Sequence, residues 1–165
     1  MAGRSTTLGT TTTVGSQTPV LAYFDGLCEP RNPGGYACGG WCIEPHPDYD
    51  AFAGRKVGGS FYLHGAGATN NVAEYRAAIE ALEAIHDAGY HGEVRLHGDS
   101  QLVVRQFNQE WRCNKPELQE LLTTLHSATT QFSSVTLVWV PRDQNVNADE
   151  QSRVAYRRAT DSIRG

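Results

Sequence analysis

Four acidic residues stand apart from the other charges of this chain: Asp25, Glu74, Asp99 and Asp149. Each falls at or near the end of a predicted element. Asp25 follows the apolar, aromatic run Val20-Leu21-Ala22-Tyr23-Phe24 and precedes Gly26, so a buried strand would deliver it to an exposed end. A lone carboxylate there is costly unless it is paired, hydrogen-bonded or bound to a cation, which makes Asp25 either the Asp of an Asp-Gly turn or a metal ligand. Glu74 is either an acid favoured near a helix N-terminus by the macrodipole or a second ligand. Asp99 is either a helix N-cap or a third. Acids gathered in one small volume repel one another until cations neutralise them, and an all-oxygen donor set suits Mg²⁺ or Mn²⁺.

The elements that must position these acids follow from pattern. Val20–Gly26 reads as a first strand, closed by a turn cluster over Leu27–Gly35 that contains Pro30, Asn32-Pro33 and Gly34-Gly35. Tyr36–Ile43 reads as its hairpin partner, Glu44–Gly59 as a long loop and Ser60–Gly67 as a third antiparallel strand. Val72, Tyr75, Ala78, Ile79, Leu82 and Ile85 recur at helical spacing behind Thr69-Asn70-Asn71, which predicts a helix over about residues 71–88. Glu93–Gly98 alternates as a strand, and Asp99-Ser100-Gln101 opens a short helix that buries Leu102, Val103 and Phe107. A helix over Pro116–Phe132, a strand over Ser134–Val140 and a last helix from Asn147 complete the order. This is an α/β chain with a five-stranded mixed sheet: three antiparallel strands, then two reached by helical crossovers, flanked by helices. It would gather Asp25, Glu74 and Asp99 at one edge.

Composition bounds the rest. At 165 residues with 39% hydrophobic side chains, the chain is sized for one domain with a proper core, expected over residues 19–160. Residues 1–18, rich in Thr, Ser and Gly, read as a disordered leader, and residues 161–165 as a tail. No apolar run is long enough for a membrane span. A net charge of −4 gives no global attraction to a polyanion, so a nucleic-acid partner would be met by a local basic patch or through cations. The four cysteines, Cys28, Cys38, Cys42 and Cys113, lack CxxC spacing, which points to free thiols and a cytoplasmic setting. A Cys38–Cys42 disulfide would need the strand between them to bend.

Four motifs in this order resemble the type 1 ribonucleases H: Phe24-Asp25-Gly26 with Asn32-Pro33-Gly34-Gly35-Tyr36, then Thr69-Asn70-Asn71-Val72-Ala73-Glu74, then Gly98-Asp99-Ser100-Gln101, then Val140-Pro141-Arg142 leading to Asn147-Ala148-Asp149. The resemblance covers about Val20 to Arg158. It implies the ribonuclease H-like fold and metal-dependent endonucleolytic hydrolysis of the RNA strand of RNA–DNA hybrids, leaving 5′-phosphate and 3′-hydroxyl ends. It also implies Asp25, Glu74, Asp99 and Asp149 as catalytic carboxylates holding two Mg²⁺ or Mn²⁺ ions. Asp25 would bridge the ions, Asp149 would be the most solvent-exposed ligand, and Glu74 would sit nearest the 2′-hydroxyls. Asn32, Asn70 and Gln101 match positions that touch the hybrid in its minor groove, where the 2′-hydroxyl distinguishes RNA from DNA. Double-stranded RNA is a further possible substrate.

Two departures from that pattern stand out. The loop Pro141–Ala148 is short and lacks the His found in bacterial members; Arg142 is its basic residue, as in archaeal and plant-type forms. The Lys/Arg-rich basic handle is also missing: between Phe107 and Pro116 the chain offers only Arg112 and Lys115. Substrate grip should therefore be weak and salt-sensitive. Trp111 is read either as a stacking surface for a sugar or base or as a core Trp. Arg142 is either an electrostatic contributor to the active site or a solvent-facing loop residue. The expected protein is a monomer, and the competing reading is a catalytically weak or inactive hybrid-binding or protein-interaction module.

Overall fold

The structure is a computed structural model that describes residues 18–164. All of the expected leader except Thr18 lies outside these residues. Strand β1 (Val20–Glu29) forms because Val20, Ala22 and Phe24 alternate toward one face and are fully buried there. Strand β2 (Tyr36–Ile43) returns antiparallel to it, and β3 (Lys56–His64) returns antiparallel to β2 with a register shift at Ala37/Cys38. Strands β4 (Glu93–Gly98) and β5 (Ser134–Trp139) run parallel to β1 and to each other, giving the order β3-β2-β1-β4-β5.

Helix α1 (Asn70–Asp87) crosses from β3 to β4; Thr69 caps it, its Oγ1 accepting from the Val72 N–H at 3.1 Å. Its Val72, Tyr75, Ile79, Leu82 and Ile85 pack with Val20, Ala22 and Phe24 in the main core. Helices α2 (Gln101–Phe107) and α3 (Pro116–Thr129) form the second crossover, with Pro116 at the start of α3. Helix α4 (Val146–Arg164) covers the opposite face of the antiparallel half, seated against β2 at Gly40: a Cβ there would strike the Ala148 carbonyl and the Ser152 N–H.

The expected α/β order holds, with local corrections. Asp25-Gly26 is not a turn: β1 runs through it to Glu29 because β2 offers a pairing partner at every step, Asp25 opposite Gly40. Asp25 is thus mid-strand, one residue beyond the Phe24–Gly98 pair where the parallel neighbour β4 ends. The third strand starts at Lys56, earlier than expected, and includes the Gly58-Gly59 pair that local pattern places in the loop. Asp99 is not the cap of α2; Ser100 is, its Oγ accepting from the Val103 N–H at 3.2 Å. In α2 the buried apolar residues are Val103 and Val104, while Leu102 and Phe107 are partly covered. Helix α3 ends at Thr129 and not at Phe132, and α4 continues through most of the expected tail to Arg164. Cys28, Cys38, Cys42 and Cys113 are all free thiols.

Candidate active site

Three separate elements bring three carboxylates together. Asp25 comes from the middle of β1, Glu74 from the first turns of α1 and Asp99 from the junction between β4 and α2. One oxygen from each lies within 4.8 Å of the others. Gly26 allows this approach: a Cβ at that position would strike the backbone of Ala73 and Glu74, so only glycine lets α1 sit so close to β1. The Gly26 N–H donates to Asp25 Oδ1 at 2.9 Å, and the Trp139 indole N–H donates to the Asp99 carbonyl at 3.2 Å. Asp149, in the first turn of α4, stands outside the tight group but lines the same cleft of about 240 Å³ with Asp25 and Glu74.

Burial and mutual repulsion set the electrostatics. Asp25 and Glu74 are each only 6% exposed. Burial first, then the charges of Asp99 and Asp149, push the Asp25 carboxyl up to about 8, against a smaller downward pull from the Gly26 N–H. Burial and the neighbouring Asp25 and Asp99 push Glu74 well above the usual carboxylate range. Glu74 Oε1 is buried with no hydrogen-bond partner. An orphaned acceptor beside two further carboxylates, with no lysine or arginine among the three, is a donor set suited to a hard divalent cation.

Further polar residues line this cleft with chemistry of their own. Asn32 and Asn70 are tied to each other: Asn32 Nδ2 donates to Asn70 Oδ1 at 2.8 Å, and the Asn70 N–H donates to Asn32 Oδ1 at 3.1 Å. They stand on the turn after β1 and the first residue of α1, so the pair locks those two ends in register. Arg142 and Arg153 complete the rim.

A reverse transcriptase-like family matches residues 35–155 of the chain. The ribonuclease HI of Halobacterium salinarum is 38% identical over 130 residues, which cover 79% of this chain and 60% of that protein. The crystal structure of RNase H1 from the same archaeon superimposes with a TM-score of 0.73 at 36% identity, covering 84% of this chain and 98% of that one. This chain belongs to the type 1 ribonuclease H family. The structure of LC11-RNase H1 in complex with an RNA/DNA hybrid is also similar, with a TM-score of 0.72 at 27% identity over 86% of this chain and 99% of that one. The chain spans about 60% of the length of its curated archaeal relative. The ribonuclease H family is metal-dependent, and the acidic cluster here fits that requirement.

On this ribonuclease H scaffold the remaining expected residues fall into two groups. Gln101 opens α2 two residues after Asp99; it is exposed, and its Oε1 accepts from Arg105 Nε at 3.2 Å. Trp111, Arg112 and Lys115 lie on the segment between α2 and α3 and do not line the carboxylate cleft. Trp111 is not a core residue: it is 47% exposed, with the Arg105 guanidinium 5.4 Å from its ring centroid. Buried Gln106 holds this segment in place by accepting from the Tyr75 hydroxyl and donating to the Arg112 carbonyl at 2.9 Å.

Two positioning residues escape sequence reasoning. Asn145 is fully buried; its Nδ2 donates to the Phe24 carbonyl at 2.8 Å, and its own carbonyl accepts from the Asp149 N–H at 3.1 Å. It therefore fixes the start of α4, and Asp149 with it, to the strand residue that precedes Asp25. An isolated Asn in a polar loop gives no signal of such a role. Arg153 pairs with Asp149, and its spacing four residues on is the one clue the sequence offers.

Proposed function

We propose that this chain is a metal-dependent endonuclease that hydrolyses the RNA strand of RNA–DNA hybrids, leaving 5′-phosphate and 3′-hydroxyl ends. The observation that carries the reading is the convergence of Asp25, Glu74 and Asp99 from three elements onto one point within 4.8 Å. Asp25, Glu74, Asp99 and Asp149 would hold two Mg²⁺ or Mn²⁺ ions, with Asp149 the more open ligand at 34% side-chain exposure. Bound there, such ions supply an activated water and stabilise the leaving oxygen. The protein's own part is placement. Gly26 and Asn145 fix the carboxylates, and the Asn32–Asn70 pair presents amide groups to the minor groove, where 2′-hydroxyls mark the RNA strand. Gln101 extends that contact beside Asp99.

A guanidinium carries only N–H donors, in a fork that fits phosphate oxygens, so Arg142 would orient or neutralise phosphate. Trp111, Arg112 and Lys115 form a small secondary contact for the hybrid beyond the cleft. Contacts of this kind read groove shape and sugar, so the activity should be independent of base sequence. The hybrid bound by LC11-RNase H1 supports the same substrate class here. Intact carboxylates in a repulsive cluster argue against a non-catalytic binding module, which has no use for such an arrangement. The catalytic unit is assigned to residues 19–160 of a cytoplasmic monomer, with double-stranded RNA as a secondary substrate. Product mapping on an end-labelled hybrid, run with Mg²⁺, Mn²⁺ or chelator, tests the reading. It should show the RNA strand cut to 3′-hydroxyl ends only when metal is present. Cutting that persists under chelator, or that falls on the DNA strand, would count against it.

A further inference from the structure

We infer that Arg153 is a resident counter-cation of the cleft, a positioning residue that holds Asp149 in the absence of a divalent ion and is itself held by Glu29. The inference rests on the metal-binding reading of the carboxylates given above. Arg153 follows Asp149 by one turn of α4, and its Nε lies 3.4 Å from Asp149 Oδ2. Its Nη1 lies 3.3 Å from Oε2 of Glu29, the last residue of β1 and 124 positions away in sequence. All three side chains line the cleft that Asp25 and Glu74 also line. One guanidinium thus bridges carboxylates from two elements at the edge of the metal-binding group.

Such a half-exposed bridge contributes little to stability. What it does is place a fixed positive charge. An incoming cation must compete with Arg153 for Asp149 and sits near a like charge, so Arg153 weakens ion binding on that side. A phosphate entering the cleft offers the same guanidinium another acceptor, so Arg153 strengthens substrate binding. Glu29 restrains both effects by holding and partly neutralising Arg153. Metal affinity and substrate affinity therefore respond in opposite directions to the same side chain, and Glu29 acts only through it.

Calorimetric titration of Mn²⁺, with hybrid binding measured separately under chelator, tests this on the whole chain. Arg153→Gln should bind Mn²⁺ about two- to fivefold more tightly, the scale of an exposed ion pair, and bind hybrid more weakly by a similar factor. Glu29→Gln should move both affinities the opposite way. The double variant should match Arg153→Gln alone, because Glu29 has nothing left to restrain. Arg153→Lys should fall between, since an ammonium cannot bridge both carboxylates as a guanidinium edge does. Wild-type protein that binds no Mn²⁺ removes the metal site and this inference with it. If wild type and Arg153→Gln, equally folded by circular dichroism, bind Mn²⁺ alike, or if the Glu29 and Arg153 effects simply add, the inference alone is overturned.

Discussion

Asp25 keeps its proton to about pH 8 because burial and the charges of Asp99 and Asp149 oppose its ionisation. The folded state therefore binds more protons than the unfolded chain between about pH 4 and pH 8, where a free Asp is already ionised. Stabilisation from that proton is complete below the lower limit and lost as pH rises through the upper one. In chelator, calorimetry should show Asp25→Asn gaining on wild type as pH rises from 5 to 8, by about 1–3 kcal/mol at the upper end. Divalent cation should raise wild-type stability and erase most of that difference. A variant that loses stability equally at both pH values would contradict the repulsive cluster. Asn145→Ala should cost about 1–3 kcal/mol by leaving the buried Phe24 carbonyl unpaired. It should also weaken Mn²⁺ binding by loosening the start of α4; unchanged unfolding and Mn²⁺ titrations would deny it the positioning role. Asp25, Glu74 and Asp99 are legible in the sequence because acids beside apolar runs are rare. Asn145 is not, because its partner is a backbone carbonyl 121 residues away.

Strand β2 matches its sequence reading because flanking turn residues bracket a clean apolar run, and α1 matches because its 3.6-residue period is long and capped by Thr69. Strand β1 is longer than its local pattern implies: turn chemistry at Asp25-Gly26 is overridden by the β2 ladder, a tertiary effect no local pattern reports. The same override hides the start of β3 behind Gly58-Gly59, whose missing side chains accommodate Trp41 and the backbone of α4. The junction of α1 with β1 is the most sensitive of these contacts. Gly26→Ala should push Ala73 and Glu74 away from the strand, destabilise the protein by about 1–3 kcal/mol and weaken Mn²⁺ binding at least severalfold. Thermal unfolding and Mn²⁺ titration on that variant check both parts; wild-type values would show that the approach is not tight.

Over the whole molecule, a charge of −4 means that the hybrid binding proposed above would depend on a few local cations against a repulsive background. Hybrid affinity should fall steeply with salt, and Arg112→Ala with Lys115→Ala should reduce the log–log slope by about 1 for each phosphate that is no longer neutralised. Equal slopes for wild type and the double variant would exclude that segment from the interface. The mixed sheet is what makes a single site out of distant residues: β1 is shared between the antiparallel and parallel halves, and the acids collect where β4 ends beside it. The carboxylates should therefore act as one unit. Single-turnover cleavage of a labelled RNA–DNA hybrid in Mn²⁺, compared among wild type, Asp25→Asn and Asp25→Asn/Asp99→Asn, tests this most directly. The predicted result is cleavage of the RNA strand by wild type, a loss of roughly 10²–10³-fold or more in the single variant, and little further loss in the double. Wild-type rates in Asp25→Asn, or losses that multiply, would contradict it.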